Sequence, residues 1–319
     1  MTTSPETEST ARGIDADGLE PAEVGPKPSV GASLLRTARP KQWVKNVLVF
    51  AAPAAAGKLA TWETLGTSIF AFAIFALASI GTYFVNDALD HKSDRLHPRK
   101  RNRPVAAGHV GLGVAWGVGL ISLGISLALG FGALNAKFGW LIVGYVAMTL
   151  SYSVWLKRVA VVELACVAAG FVMRMIAGGF ATELVLSNWF LTVASFSSLF
   201  VVAGKRYAEL TEMGEGNSLS RAVLGDYTVN FLRAAWAMAM TVAVAAYYQW
   251  AFERADAVNA SHVWYQLSAV PWTIALLRYA LLLERGEGGA PEDVLSADRV
   301  LQILGVVWVV LFGLGVYDH

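Results

Sequence analysis

The sequence has one cysteine in 319 residues, and charged residues make up only 15% of it. That single thiol, Cys166, excludes an internal disulfide framework and, set within an apolar run, reads as packing. So little charge, beside 55% hydrophobic residues and a mean hydropathy of +0.50, excludes an ordinary soluble globular domain of this length. The chain belongs in lipid. Neither sign of charge dominates, the formal net being +1, so there is no basic surplus for nucleic acid and none is expected as a partner. Also missing is any apolar core in residues 1–30, which are rich in Thr, Ser, Pro, Gly and acid. They are expected as a disordered cytoplasmic tail rather than a signal peptide, with 31–319 as one catalytic membrane domain.

What the chain does have is apolar runs of about 17 to 24 residues, the length that crosses a bilayer as a helix. Nine are expected, at roughly 42–57, 65–86, 110–131, 138–155, 161–180, 188–204, 229–251, 263–283 and 299–317. The first is the weakest, being short and opened by Lys41, Trp43, Lys45 and Asn46. The fold class is therefore an all-α, multi-pass bundle. Lys and Arg collect in alternate loops: Arg36, Arg39, Lys41 and Lys45, then Lys92 to Arg103, then Lys157, Arg158, Lys205, Arg206, Arg221, Arg285 and Arg299. The other set holds only Lys58, Lys137 and Arg254. The asymmetry places the N-terminus and the basic loops in the cytoplasm of a bacterial plasma-membrane protein. Trp62, Trp140, Trp189, Trp250 and Trp264 fall at the opposite, outer ends, where indole rings favour the headgroup layer. The longer inner loops start near Asn86 and Lys205, about 120 residues apart, which points to two related halves meeting at one cytoplasmic cavity.

One stretch carries chemistry. Asn86, Asp87, Asp90 and Asp94 continue an apolar helix into polar sequence. At 100° per residue the three aspartates fall at roughly 0°, 300° and 340°, with Asn86 one turn before Asp90, so all four face one point. Carboxylates stacked this way repel unless a cation sits among them. Hard oxygen ligands suit magnesium, which takes one or two carboxylates together with substrate phosphate oxygens. The run His97-Pro-Arg-Lys-Arg-Asn-Arg-Pro104 follows at once and supplies cations for phosphate oxygens that the metal leaves uncovered. Part of that basicity serves as a membrane anchor, and the bland alternative is a solvated helix end paired to Lys92, Arg95 and Arg99.

The pattern Asn86-Asp87-x-x-Asp90-x-x-x-Asp94, with its basic R-x-R-P sequel among membrane helices, resembles the UbiA superfamily of intramembrane prenyltransferases. The likeness runs over about residues 36 to 315 and includes four more stretches: Arg39-Pro-Lys-Gln-Trp-Val-Lys-Asn46, Tyr152-Ser-Val-Trp-Leu-Lys157 ahead of Glu163, Phe171-Val-Met-Arg-Met-Ile-Ala-Gly-Gly179, and Gly204-Lys-Arg-Tyr-Ala-Glu-Leu210. Within the family it is most similar to the branch that moves 5-phosphoribosyl from 5-phosphoribosyl 1-diphosphate to a polyprenyl phosphate such as decaprenyl phosphate, in arabinan cell-wall precursor synthesis. The resemblance implies a nine-helix UbiA-type bundle around a cytoplasm-facing cavity, Mg2+ as cofactor, and a lipid phosphate attacking the anomeric carbon with release of diphosphate.

Prenyl-transferring members carry a second aspartate stripe at the end of the sixth span. Here Lys205, Arg206, Tyr207, Glu209 and Glu212 stand in its place, a change that suits a donor bringing an extra phosphate dianion. On this reading Asp87 and Asp90 bind magnesium with Asn86 and Asp94 in support, and Asp87, Asp90 and Asp94 form the catalytic set. Lys100, Arg101, Arg103, Lys157, Lys205 and Arg206 are expected to clamp phosphates, and Lys41 and Lys45 to receive the lipid phosphate. Glu163, Glu209 and Arg221 complete the substrate lining. Tyr207 and Tyr227 either touch ribose or pack. Arg174, about eleven residues into its span, is costly in lipid and is expected to face a polar cavity or to pair with an acid. An ordinary prenyltransferase and a membrane transporter are the rival readings; the transporter calls for acids at the bilayer midplane. Glycine-rich faces such as Gly111 to Gly119 permit close helix contacts within one chain or in a homo-oligomer.

Overall fold

The structure is a computed structural model that describes residues 29–97, 100–213, 222–258, 263–288 and 291–317. Nearly all of the expected N-terminal tail, and Arg221, lie outside the described residues. Among the described residues there are helices and no strands. Helix α1 (Val30–Ala38) begins with the Ser29 hydroxyl accepting the Ala32 N–H at 3.3 Å. It ends where Arg39 turns left-handed, at φ 53°. Pro40 is the reason: its ring disfavours right-handed helix at the residue before it, then fits the first turn of the next helix.

The expected first span, 42–57, is not one helix. It is α2 (Pro40–Trp43), a 3-10 stretch (Val44–Phe50) and α3 (Ala51–Ala55). Pro53 is tolerated only because α3 starts afresh two residues earlier, where its missing N–H leaves no bond unmade. Asn46, 1% exposed, turns into the bundle instead of toward lipid. The count of nine crossing helices is not confirmed: this segment is broken, and eight long helices follow it among the described residues.

These are α4 (Trp62–Leu96), α5 (Leu112–Leu129), α6 (Ala136–Val154), α7 (Val162–Ala181), α8 (Asn188–Met213), α9 (Val229–Val258), α10 (Val263–Glu284) and α12 (Arg299–Tyr317), with short α11 (Pro291–Ala297) before the last. Six of them (α4, α5 with its continuation to Leu134, α7, α9, α10 and α12) are long and apolar enough to cross a membrane; α6 and α8 are of comparable length with less apolar sequences.

Two of the four apolar clusters among the described residues meet at α7. One joins the broken segment, α4, α6 and α7 through Val49, Phe75, Phe138, Ile142 and Ala177. The other joins α7, α8, α9 and α10 through Leu164, Phe200, Leu232 and Leu283. Helix α7 belongs to both and forms the seam. A Cβ on Gly178 would overlap the Val49 carbonyl oxygen, so glycine there is what lets the 3-10 stretch lie against α7. Helix α4, 35 residues long, spans about 52 Å, well beyond a hydrocarbon core of ~30 Å. Asp87 lies roughly 37 Å along it from Trp62, farther than the hydrocarbon core is thick.

Candidate active site at one end of the bundle

The acidic stripe meets a cation from each of three chain segments. Asp87 Oδ1 accepts from Arg39 at 2.5 Å and from Arg103 at 3.3 Å, and the same Arg103 nitrogen donates to Asp94 Oδ2 at 2.7 Å. Asp90 receives the Lys157 ammonium at 3.0 and 3.3 Å. Three carboxylates are thus balanced by Arg39, Arg103 and Lys157, drawn from before α2, after α4 and before α7. Side-chain burial is nearly complete at Asp87 and Asp94, while Asp90 stays 24% exposed. The helical spacing brings the aspartates together; their partners come from far along the chain.

Asn86 stands one turn before Asp90 on α4, and its Oδ1 is buried with no hydrogen-bond partner among the described residues. A buried carbonyl-type oxygen left unpaired costs stability unless a cation or a donor completes it. Among the described residues no three His, Cys, Asp or Glu groups stand close enough to hold a metal by themselves. That donor set suits a hard cation that takes one or two carboxylates, an amide oxygen and substrate oxygens, as magnesium does.

The turn between α6 and α7 ties this group to a second one. Six residues beyond Lys157, Glu163 is 1% exposed and receives Arg206 of α8 through two nitrogens, at 2.8 and 3.0 Å. Arg206 also donates to Glu209 at 3.0 Å. Expected as a phosphate clamp, Arg206 is therefore held by two carboxylates in the interior. Its neighbour Lys205 is half-buried and has no carboxylate partner among the described residues. Tyr207 is 3% exposed and donates to Glu284 at 3.0 Å, where Arg233 forms a fork at 2.8 Å on each oxygen. The Tyr227 hydroxyl accepts the Val161 N–H at 2.7 Å. Burial pushes that hydroxyl up to about 12.

The remaining expected residues spread around this end. Arg101 and Lys41 are exposed. Lys100 is half-buried; burial first, then the Arg103 charge, holds its ammonium below the ordinary lysine range. Lys45 lies 5.9 Å from the Phe171 ring centre. Arg174, 6% exposed, pairs with no acid among the described residues: it donates to Asn46 Oδ1 at 2.8 Å, the Gly170 carbonyl at 2.5 Å and the Tyr145 hydroxyl at 3.1 Å, and lies over the Phe75 and Tyr145 rings. Arg39, which opens one of the family-like stretches and lies among the basic loop residues, is a site residue that sequence reasoning did not assign; the left-handed turn before Pro40 puts its side chain on Asp87.

The UbiA prenyltransferase family matches residues 47–297. The chain belongs to that family. This UbiA-family chain is 41% identical over 295 residues to a decaprenyl-phosphate phosphoribosyltransferase of Corynebacterium glutamicum, covering 92% of this chain and 89% of that one. It is 43% identical to the decaprenyl-phosphate phosphoribosyltransferase of Mycobacterium tuberculosis, covering 91% and 96%. Among solved structures, a UbiA homolog from Archaeoglobus fulgidus bound to GPP and Mg2+ superposes with a TM-score of 0.66 over 90% of this chain and 100% of that one. At 17% identity that likeness speaks for the fold. This UbiA-family chain is a multi-pass membrane protein with the all-helical UbiA fold.

Proposed function

We propose that the chain transfers 5-phosphoribosyl from 5-phosphoribosyl 1-diphosphate to decaprenyl phosphate, with magnesium, at the cytoplasmic face of the bacterial plasma membrane. The observation that carries the reading is the 41–43% identity, through more than nine-tenths of the chain, to relatives that bear that activity in their names. The site agrees with it in kind. Its cations come from three segments around one acidic stripe, and on α8 Lys205 stands without a carboxylate partner among the described residues. The lysines and arginines of the basic loops support the cytoplasmic placement.

Asp87, Asp90 and Asn86 are the residues that would hold the metal, with Asp94 oriented through Arg103. When bound, magnesium supplies positive charge to the diphosphate leaving group. Arg39, Arg103 and Lys157 already sit on the carboxylates, within side-chain reach of any phosphate drawn to them. The reaction forms a bond between a lipid phosphate oxygen and the anomeric carbon, and breaks the bond from that carbon to diphosphate. A phosphate monoester is mostly dianionic at neutral pH, its second pKa being about 6, so no strong base is required. What remains for the protein is positioning and stabilisation of charge.

Purified protein with magnesium, decaprenyl phosphate and labelled 5-phosphoribosyl 1-diphosphate is expected to yield a labelled lipid and free diphosphate. Asp87→Asn is expected to remain folded and to lose at least about a hundredfold in turnover. No labelled lipid from the parent protein, with turnover of a prenyl diphosphate instead, would overturn the assignment; retained activity in the variant would remove Asp87 from the metal site.

A further inference from the structure

The turn that joins the two charged groups contains a β-branched residue in a rare conformation. Val161 has φ 67° and ψ −47°, with the Ala160 carbonyl accepting the Val162 N–H at 2.8 Å. This is a γ-turn of the positive-φ kind, which is strained for any residue with a Cβ and more so for valine. Packing does not ask for valine here, since the side chain is 54% exposed. Such strain persists only where surrounding contacts over-determine it. One contact does so from outside the turn: the Val161 N–H donates to the Tyr227 hydroxyl at 2.7 Å. Tyr227 is in turn fixed by burial, at 6% exposure, and by stacking on Phe231 with ring centres 5.7 Å apart.

The position of this turn gives the strain its consequence. Lys157, four residues before Val161, reaches Asp90, and Glu163, two residues after it, anchors Arg206 beside Lys205. Relaxing Val161 to negative φ rotates the chain between the two pairs, so Lys157 and Glu163 no longer reach their partners together. We propose that Tyr227 is a positioning residue: by holding the strained Val161 turn it sets the spacing between the Lys157–Asp90 pair and the Glu163–Arg206 pair, and touches no substrate itself. This rests on the phosphoribosyl-transfer reading for its assay, not for its geometry.

Glycine adopts positive φ without the Cβ penalty, which separates holding a turn from contacting a sugar. Tyr227→Phe is expected to lower kcat/KM for the phosphoribosyl donor about tenfold, the scale of one lost hydrogen bond. Val161→Gly alone is expected to stay within about twofold of the parent, and Val161→Gly combined with Tyr227→Phe to recover most of the loss. Val161→Ala, which keeps a Cβ, is expected to recover little. If Tyr227→Phe yields no monodisperse protein, adding Val161→Gly is expected to restore it. Failure of Val161→Gly to rescue activity, or yield, overturns the proposal and returns Tyr227 to a direct substrate contact or a plain packing role. Absence of phosphoribosyl transfer in the parent protein is a different failure, that of the functional assignment, and leaves the turn testable by the restored yield.

Discussion

The Lys157 ammonium, carried by the turn before α7, stands 3.0 Å from the Asp90 carboxylate of α4, joining positions 67 residues apart. Both side chains keep contact with solvent, at 30% and 24% exposure, so the pair contributes little to stability, about 1 kcal/mol or less. Its value lies in where it puts a cation. Lys157→Ala is expected to leave Tm within about 2 °C of the parent and to lower kcat/KM for the phosphoribosyl donor by about tenfold to a hundredfold. Steady-state kinetics beside a thermal melt in detergent checks this, and a large fall in Tm with normal kinetics would make the pair structural.

The Glu163–Arg206 pair is the opposite case. Side-chain exposure is 1% and 4%, and two nitrogens of the guanidinium meet both carboxylate oxygens. Removing Arg206 leaves the Glu163 charge buried without its partner, at a cost of about 3 to 5 kcal/mol. Arg206→Met is expected to destabilise strongly and Glu163→Leu combined with Arg206→Met to recover much of the loss, while Glu163→Gln, which leaves Arg206 its contact to Glu209, is expected to cost less. A stable Arg206→Met protein whose only defect is a raised donor KM would show Arg206 to be a phosphate clamp after all.

Close approach of the broken segment to α7 depends on a missing side chain. Gly178→Ala drives a Cβ into the Val49 carbonyl, and backbone has no rotamer with which to give way, so a loss of about 3 kcal/mol or more is expected. Gly117 on α5 has nothing within 4 Å of the same point. Gly117→Ala is therefore expected to be neutral or to gain up to about 1 kcal/mol from helix propensity. Thermal melts of the two proteins side by side test the contrast, and equal Tm values would refute the packing argument.

The long helices were legible because lipid imposes one requirement on every turn of them, a run of apolar residues. The aspartate stripe was legible for a similar reason: Asp87, Asp90 and Asp94 lie on one helix, where spacing alone fixes direction. The broken first segment was not, since it depends on Asn46 finding Arg174, 128 residues away, and on Gly178 admitting Val49. Nor were the ion pairs. Arg206 and Arg103 look alike in sequence, two cations beside a polar helix end, yet one is enclosed by Glu163 and Glu209 and the other bridges two aspartates. Only packing decides which cation is left for a ligand.

Lys205 is one such cation among the described residues, and it carries the most specific expectation about the donor. It follows Gly204, packed under Leu283, and precedes the fully paired Arg206; the residue is half-buried and has no carboxylate partner among the described residues. A charge-assisted contact to a phosphate contributes about 1.5 to 3 kcal/mol, so Lys205→Ala is expected to raise the donor KM by about tenfold to a hundredfold and leave the lipid KM unchanged. The partner phosphate is identified by removing it. A donor analogue with a 5-hydroxyl in place of the 5-phosphate should bind the parent protein as weakly as the normal donor binds Lys205→Ala, and the variant should no longer distinguish the two. If the variant still prefers the phosphorylated donor by the full factor, Lys205 meets the leaving diphosphate instead, and the substitution of basic residues for a second aspartate stripe needs another cause.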